Sequence, residues 1–181
     1  CGECYRVCPQ RAVYAKDDGL KSAEKSGYKI ALVPSVFIGQ FSSEYSATQV
    51  MDAIKQLGFD DVFEVEQAVD FIKEEYMKLK SDELQRPLIS SFCPAVVRLI
   101  QVKYPSLTHN IIRLKAPHDI AAIYLRESKK NLVKEDSSIH IYYITPCAAK
   151  IVAALSPVGE DKSAIDSTIN MTEVYNRISV I

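Results

Sequence analysis

Short apolar runs alternate along this sequence with segments whose apolar residues recur at helical spacing. The runs predict buried strands at 28–33, 62–65, the run that begins at Leu88, 139–145 and 165–171. Helical segments lie between them, at about 47–57 and 66–80, and after Cys93, Ala116 and Cys147. Strands that alternate with helices favour an α/β fold, a parallel β-sheet flanked by helices.

The sequence predicts two details of these helices that a structure can test directly. Ile120, Ile123 and Tyr124 should form the apolar side of the helix that follows Ala116. Thr172 should cap the last helix, because a threonine hydroxyl accepts a hydrogen bond from an amide in the first helical turn.

Two cysteines occupy predicted strand-to-helix turns. Cys93 follows the run that begins at Leu88, and Cys147 follows the run 139–145. If both strands belong to one parallel sheet, both thiols face the crevice outside the carboxyl ends of the strands. Two thiols there are typical of half of a four-cysteine cluster site. The alternative is that each is a small buried apolar residue.

The other three cysteines lie in the first eight residues. Cys1, Cys4 and Cys8 form the pattern C-x2-C-x3-C-P, which matches the last three cysteines of a bacterial ferredoxin run. The pattern predicts that residues 1–13 are the tail of a truncated ferredoxin-like iron–sulfur domain, with the first cysteine upstream. Cys1 and Cys4 would bind one cluster and Cys8 another, each incompletely. Residues 14–27 are predicted to be a polar linker.

Composition narrows the class of protein. The chain has 181 residues, is 48% hydrophobic and carries a net charge of −1, so it has enough residues for one domain with a sizeable core. This balance offers no electrostatic basis for binding nucleic acid or an anionic membrane. We find no apolar run long enough to cross a bilayer and no signal peptide, which predicts a cytoplasmic protein with reduced thiols.

The histidines offer little chemistry at the level of sequence. His109, His118 and His140 are not paired at ligand spacing, so we interpret them as structural. A thiol enzyme with Cys93 as its nucleophile at a helix N-terminus stays open as a different class of function. However, the sequence has no histidine–carboxylate pair that is suitably placed to activate this thiol.

The cysteine motifs, taken in order, resemble those of the iron-only (FeFe) hydrogenase large subunit. That family has the signatures T-S-C-C-P-x-W and M-P-C-x-x-K, and this chain has Ser-Phe-Cys-Pro around Cys93 and Thr-Pro-Cys-Ala-Ala-Lys around Cys147. The resemblance implies that residues 28–181 are the first lobe of a hydrogenase-like catalytic domain. The family's third cluster-binding signature would lie beyond this lobe.

The resemblance also implies a site. In that family a 4Fe–4S cubane held by four cysteines is bridged to a diiron unit with carbonyl, cyanide and dithiolate ligands. Cys93 and Cys147 would be two of the four cubane ligands, and Lys150 would hydrogen-bond a diiron cyanide. Pro34 and Ser35 would line the dithiolate pocket. This chain alone should hold no complete cluster and be inactive. Expected partners are a ferredoxin or other redox subunit and the hydrogenase maturation proteins.

Several positions depart from the family pattern. The usual proton donor, the cysteine before the first ligand, is Phe92 here. The serine and a carboxylate of the proton relay align with Ile112 and Ala153, and one glutamate is retained as Glu75 with Lys78 in place of its partner. Three hypotheses therefore stay open: a hydrogenase with another proton route, a relative that senses H2 or redox state, and a scaffold that carries only cubanes.

Overall fold

The computed structural model describes residues 2–24, 27–78, 87–132, 138–157 and 162–180. Cys1 lies outside the described residues, as does the predicted end of the 66–80 helix. In the described part of the chain, every helix is too short or too polar to cross a membrane.

Four parallel strands form the central sheet, which confirms the predicted α/β class. They are β1 (Tyr28–Val33), β2 (Asp61–Glu64), β3 (Ile139–Thr145) and β4 (Ser167–Asn170). Their order is β2-β1-β3-β4, and each neighbouring pair is parallel. The carboxyl ends of all four strands therefore lie along one edge of the sheet.

Eight α-helices are described around this sheet: α1 (Glu3–Val7), α2 (Ser35–Ile38), α3 (Ala47–Gln56), α4 (Val69–Lys78), α5 (Pro94–Lys103), α6 (Pro117–Lys129), α7 (Ala148–Leu155) and α8 (Met171–Ile178). Short 3-10 helices span Leu20–Glu24, Val65–Ala68, Pro105–Asn110 and Lys130–Leu132.

The core has one apolar layer on each face of the sheet. Tyr142 and Ile144 of β3 pack in the layer that includes α3 and α8, whereas Ile141 and Tyr143 pack in the layer that includes α6. Because successive residues of a strand point to opposite faces, β3 is buried on both sides, and its sequence is predominantly apolar. Full burial of such a side chain stabilises the fold by about 1.5–3 kcal/mol.

The predicted linker is bound to the edge of the sheet. The amide of Asp18 donates to the carbonyl of Thr168 over 2.8 Å, and the amide of Thr168 donates to the Asp18 carboxylate over 2.8 Å. The Asp17 carboxylate accepts from the amide of Asn170 over 2.7 Å, and Ala23 is buried. These bonds satisfy backbone groups that an edge strand would otherwise leave unpaired.

The run that begins at Leu88 is not a strand of the sheet, which corrects the sequence prediction. Ile89 makes one isolated parallel bridge with Ile111; its amide donates to the carbonyl of Asn110 over 2.9 Å and its carbonyl accepts from the amide of Ile112 over 2.8 Å. The physical reason is the length of the run. Only two apolar residues precede a turn at Ser91, and these bury too little surface to form a strand of the sheet.

Two helix predictions are also wrong in detail. Ile123 and Tyr124 are 41% and 44% exposed, and α6 instead buries His118, Ala121, Ala122 and Leu125. Small alanines let the helix approach the sheet closely. At α8 the capping side chain is Asn170, whose oxygen accepts from the amide of Thr172 over 2.9 Å.

Candidate functional site

Three sequence-predicted site residues lie at the carboxyl edge of the sheet. Pro34 and Ser35 follow β1, and Cys147 follows the neighbouring β3. Ser35 is held by two glutamates: its amide donates to the Glu66 carboxylate over 2.9 Å, and its hydroxyl donates to the Glu64 carboxylate. The hydroxyl proton of Ser35 is thus engaged by Glu64, which leaves its oxygen lone pairs available to an incoming donor.

Cys147 is the N-cap residue of α7. Its carbonyl accepts from the amide of Ile151 over 3.1 Å, and its own amide donates to the hydroxyl of Thr145 over 3.2 Å. Its side chain is half-buried. The positive end of the α7 dipole favours negative charge at this position, as a metal-bound thiolate would carry.

Cys93 has the same local position at the start of α5. Its carbonyl accepts from the amide of Val97 over 3.1 Å, and Pro94 occupies the first helical turn. The turn before it is held by the Ser91 hydroxyl, which donates to the carbonyl of Leu114 over 2.6 Å. Cys93 itself is exposed.

A cleft of about 270 Å³ opens between the segments that follow the two cysteines. Pro94 and Val97 of α5 line one side, and Lys150 and Ala153 of α7 line the other. Its remaining walls include residues 111–116, the start of α6 and Tyr143 of β3. The structure therefore brings the helices that carry Cys93 and Cys147 to one cleft, although the strand predicted before Cys93 is absent.

The positions that the resemblance aligns with the family's proton relay line this same cleft. Phe92, Ile112 and Ala153 are among its lining residues, and Ile112 is 6% exposed. The retained Glu75 is in α4, and its side chain lies outside the described residues. The part of the cleft wall formed by these three residues therefore carries no side chain able to exchange a proton.

Lys150 reaches a tyrosine in the cleft. Its ammonium donates to the hydroxyl of Tyr143 over 3.3 Å and lies 5.8 Å from the centre of that ring. An ammonium has three donors, so two remain for other acceptors. Tyr143 is 1% exposed, which means that only the end of its side chain can face the cleft.

His118 stacks on the other side of this tyrosine and is neutral. The two ring centres are 4.9 Å apart and their planes differ by 5°. Burial, followed by the charge of Lys150, lowers the pKa of His118 to about 3. Its Nε2 lies 3.6 Å from the Asp119 carboxylate, but an ion pair requires a protonated ring, and the lowered pKa argues against one. Its Nδ1 is buried without a hydrogen-bond partner among the described residues.

Tyr143 and His118 were not predicted as site residues. His118 was interpreted as structural, and its burial and stacking fit that interpretation. One sequence signal was available for Tyr143. It lies four residues before Cys147 in a predicted strand, and successive residues of a strand point to opposite faces. Residues that are an even number of positions from the ligand-bearing turn share one face of the strand.

The N-terminal segment lies against the same two helices. A second groove is lined by Gly2 and Cys4 together with Pro94, Ala148 and neighbouring residues of α5 and α7. A methyl group at Gly2 would lie 3.7 Å from the Cβ of Ala148. Cys4 is therefore near the helix ends that carry Cys93 and Cys147.

Cys8 is surrounded by backbone donors. The amide of Ala12 contributes most to lowering the pKa of its thiol, burial opposes this, and further amides help: those of Gln10, Val13 and Arg11. Successive amides that converge on one sulfur form an anion-binding concavity of the kind found at iron–sulfur sites. This arrangement fits a thiolate that ligates a metal cluster.

The cysteines of the described segments fit an iron–sulfur cluster in chemistry but not in number. Cys4, Cys8, Cys93 and Cys147 are free thiols, the ligand type that such clusters require. Within those segments, no three cysteine, histidine or carboxylate side chains are grouped closely enough to hold a metal ion. The two helix-cap cysteines can supply half of a four-cysteine set.

Comparison with known proteins identifies a family for this chain. Residues 29–180 match the family described as iron-only hydrogenase large subunit, C-terminal domain. Iron hydrogenase 1 of Clostridium pasteurianum is 28% identical over 166 residues, which cover 82% of this chain and 28% of that protein.

Solved structures share the fold. An FeFe-hydrogenase studied for oxygen inactivation of its H cluster superposes with a TM-score of 0.65 at 18% identity, covering 89% of this chain and 46% of the other. A variant of HydA1 from Chlamydomonas reinhardtii gives 0.63 at 19% identity, with the same coverage. The chain thus spans less than half the length of these relatives. It belongs to the iron-only hydrogenase large subunit family and matches that family's C-terminal domain.

Proposed function

We propose that this chain forms part of the active-site domain of a hydrogenase-like iron–sulfur protein that interconverts or senses H2, protons and electrons. The observation that carries the proposal is the shared position of Cys93 and Cys147. Both cap the N-termini of helices that meet at one cleft, and Lys150 reaches into that cleft.

Each residue has a distinct role in this proposal. Cys93 and Cys147 ligate the active-site cubane, with two further cysteines supplied from elsewhere in the parent protein. Lys150 donates to a diiron cyanide, because an ammonium is a compact point-charge donor suited to a small anion. Pro34 and Ser35 line the dithiolate side. When bound, the six-iron cluster would supply the redox chemistry and the site at which H2 binds.

The N-terminal segment serves electron transfer in the same proposal. Residues 1–13 are the tail of a ferredoxin-like domain, in which Cys4 and Cys8 ligate 4Fe–4S clusters together with Cys1. The amides around Cys8 and the position of Gly2 beside Ala148, in the groove that both residues line, support this role. The partners would be a ferredoxin or another redox subunit, and the maturation proteins that deliver the diiron unit.

Infrared spectroscopy of the full-length parent protein tests the proposal. The protein is produced anaerobically with the hydrogenase maturation proteins, and spectra are compared under argon and under H2. We expect carbonyl and cyanide bands that shift under H2. Cubane iron without any such bands would overturn the proposal in favour of an iron–sulfur scaffold.

A specific observation favours a second candidate, a sensory or regulatory relative with little turnover. Phe92, Ile112 and Ala153 line the cleft where the family has its proton relay. Phenylalanine has no exchangeable proton and cannot act in general acid–base catalysis, whereas sensing does not require fast proton transfer.

Introducing a thiol at position 92 tests whether the protein is an enzyme or a sensor. Phe92→Cys should raise dye-coupled H2 turnover by about 100-fold or more if a missing proton donor limits the rate. Phe92→Leu is the matched control and should leave turnover unchanged. Rapid turnover by the wild-type protein, with no gain in Phe92→Cys, would exclude the sensory candidate.

A further inference from the structure

We propose that Tyr143 donates a second hydrogen bond to the same ligand that Lys150 binds, so that the cleft presents an ammonium and a hydroxyl to one small anionic group. The inference rests on the proposed function, in which that group is a cyanide of the diiron unit.

The hydrogen bonds of Tyr143 give the first step. A phenolic hydroxyl can accept and can donate one proton, and buried tyrosines normally use this capacity. Its oxygen accepts from the Lys150 ammonium over 3.3 Å. Within the described segments, no protein acceptor takes the proton of this hydroxyl. The proton must point away from the ammonium, and Tyr143 is among the residues that line the cleft, where an incoming ligand can accept it.

The surroundings of the ring give the second step. Tyr143 is 1% exposed and its ring is stacked on His118, so its hydroxyl has little freedom of position. His118 is neutral and adds no second positive charge beside Lys150. Three groups therefore act together: the histidine fixes the ring, the ring places the hydroxyl, and the hydroxyl orients the ammonium.

The class of ligand follows from the two donors. An ammonium and a hydroxyl aimed at one cleft suit a small group that bears negative charge and accepts hydrogen bonds, because charge-assisted bonds are about twice as strong as neutral ones. Asp119 is the carboxylate among the cleft residues, while Arg113 and Lys115 add positive charge. The cleft favours an anion over a cation.

The neighbouring tyrosine is a matched control. Tyr142 also stands on β3 but packs in the opposite layer of the core, and its hydroxyl donates to the carbonyl of Ser22 over 2.9 Å. Tyr142→Phe removes the same atom as Tyr143→Phe at an adjacent position, without altering the cleft. Comparing the two variants separates loss of a cleft donor from loss of a buried hydroxyl.

The first experiment compares infrared spectra of the matured parent protein. In Tyr143→Phe, one cyanide band should shift relative to the wild type, whereas Tyr142→Phe should leave every cyanide band in place. Identical cyanide bands in Tyr143→Phe and wild type would overturn the inference. A wild-type protein without any cyanide band would overturn the proposed function, and with it the ligand named here.

The second experiment uses the metal-free chain and does not depend on the diiron unit. Reductive methylation of Lys150 is followed by peptide mass spectrometry in both variants. Tyr143→Phe should raise the rate several-fold, because the ammonium loses its fixed partner, and Tyr142→Phe should not. An unchanged rate in Tyr143→Phe would show that Lys150 does not make the contact with Tyr143 on which the inference depends. Circular dichroism verifies that both variants are folded.

Discussion

The two cysteine turns share a local design but differ in what supports them. Cys147 follows β3, a central strand whose last five residues are all buried and which pairs with strands on both sides. Cys93 follows a short segment joined to Ile111 by one isolated bridge. Both residues cap a helix, yet only one of those helices is fixed directly to the sheet.

The difference shows what a helix-cap cysteine requires from the rest of the fold. A proline and an apolar first turn are enough to begin α5 at Cys93. Its position in space depends on side-chain and backbone bonds to residues 110–114, of which 111–114 also line the cleft. We therefore expect the Cys147 half of the site to be preorganised and the Cys93 half to be more adaptable.

The largest expected effect comes from truncating the support of Cys147. Ile144→Ala removes a fully buried side chain from β3 and should lower the free energy of unfolding by about 2–5 kcal/mol. Ile89→Ala, at the half-buried bridge before Cys93, should lower it by about 1 kcal/mol. Urea denaturation of the metal-free chain measures both. Equal losses would contradict the difference in support.

Acid should destabilise the chain through His118, which lies at the cleft between the helices that follow the two cysteines. The pKa of His118 is about 3 in the folded chain and 6.5 as the ordinary value, so below pH 6.5 the unfolded chain binds a proton that the folded chain does not. The free energy of unfolding should fall by about 1.4 kcal/mol per pH unit below pH 6.5, and this loss should disappear in His118→Phe.

Urea denaturation at pH 7, 6 and 5 measures this dependence. Lys150 and Asp119 face the histidine and stay unchanged in the variant, so the difference between the two chains isolates His118. Parallel curves for the wild type and His118→Phe would show that the ring is not held neutral.

Hydroxyl bonds also hold both turns, and variants that remove one bond from each turn should have smaller effects. Thr145→Val removes the acceptor of the Cys147 amide at a 1% exposed position and should cost about 1–2 kcal/mol. Ser91→Ala removes the bond to Leu114 before Cys93 and should cost about 0.5–1 kcal/mol. Chemical denaturation measures both costs, and a larger loss in Ser91→Ala would reverse the comparison.

The smallest expected effect concerns the thiols themselves. Cys93 is exposed and Cys147 is half-buried, so iodoacetamide should alkylate Cys93 several-fold faster in the metal-free chain. Peptide mass spectrometry distinguishes the two sites in one reaction. Faster alkylation of Cys147 would mean that its turn opens more readily than that of Cys93.

The sequence predicts the sheet well because its central strands are unambiguous. The 28–33 and 139–145 strands have the predicted bounds, since predominantly apolar runs of that length belong to strands buried on both faces. The run at Leu88 failed because apolar character alone does not reveal whether a neighbouring strand is available for pairing. The predicted turns at Cys93 and Cys147 depend on local chemistry, and both cysteines cap helices.

The contacts inside the cleft could not be predicted in this way. The stacking of His118 on Tyr143 joins residues that are 25 positions apart in sequence, and it depends on how α6 crosses the sheet. The alanines of α6 are fully buried at that crossing, whereas Ile123 and Tyr124 are 41% and 44% exposed. The roles of Cys4, Cys8, Cys93, Cys147 and Lys150 stay predictions until a loaded protein is measured.

The attachment of Asp17 and Asp18 to β4 has a consequence for the electron transfer that we propose. These hydrogen bonds join the segment after Cys8 to the same rigid sheet that carries Cys147. A cluster held near Cys4 and Cys8 would therefore keep a constant distance from one held at the helix caps. Since electron tunnelling depends steeply on distance, the hydrogen bonds to an edge strand would set the rate of delivery without touching either cluster.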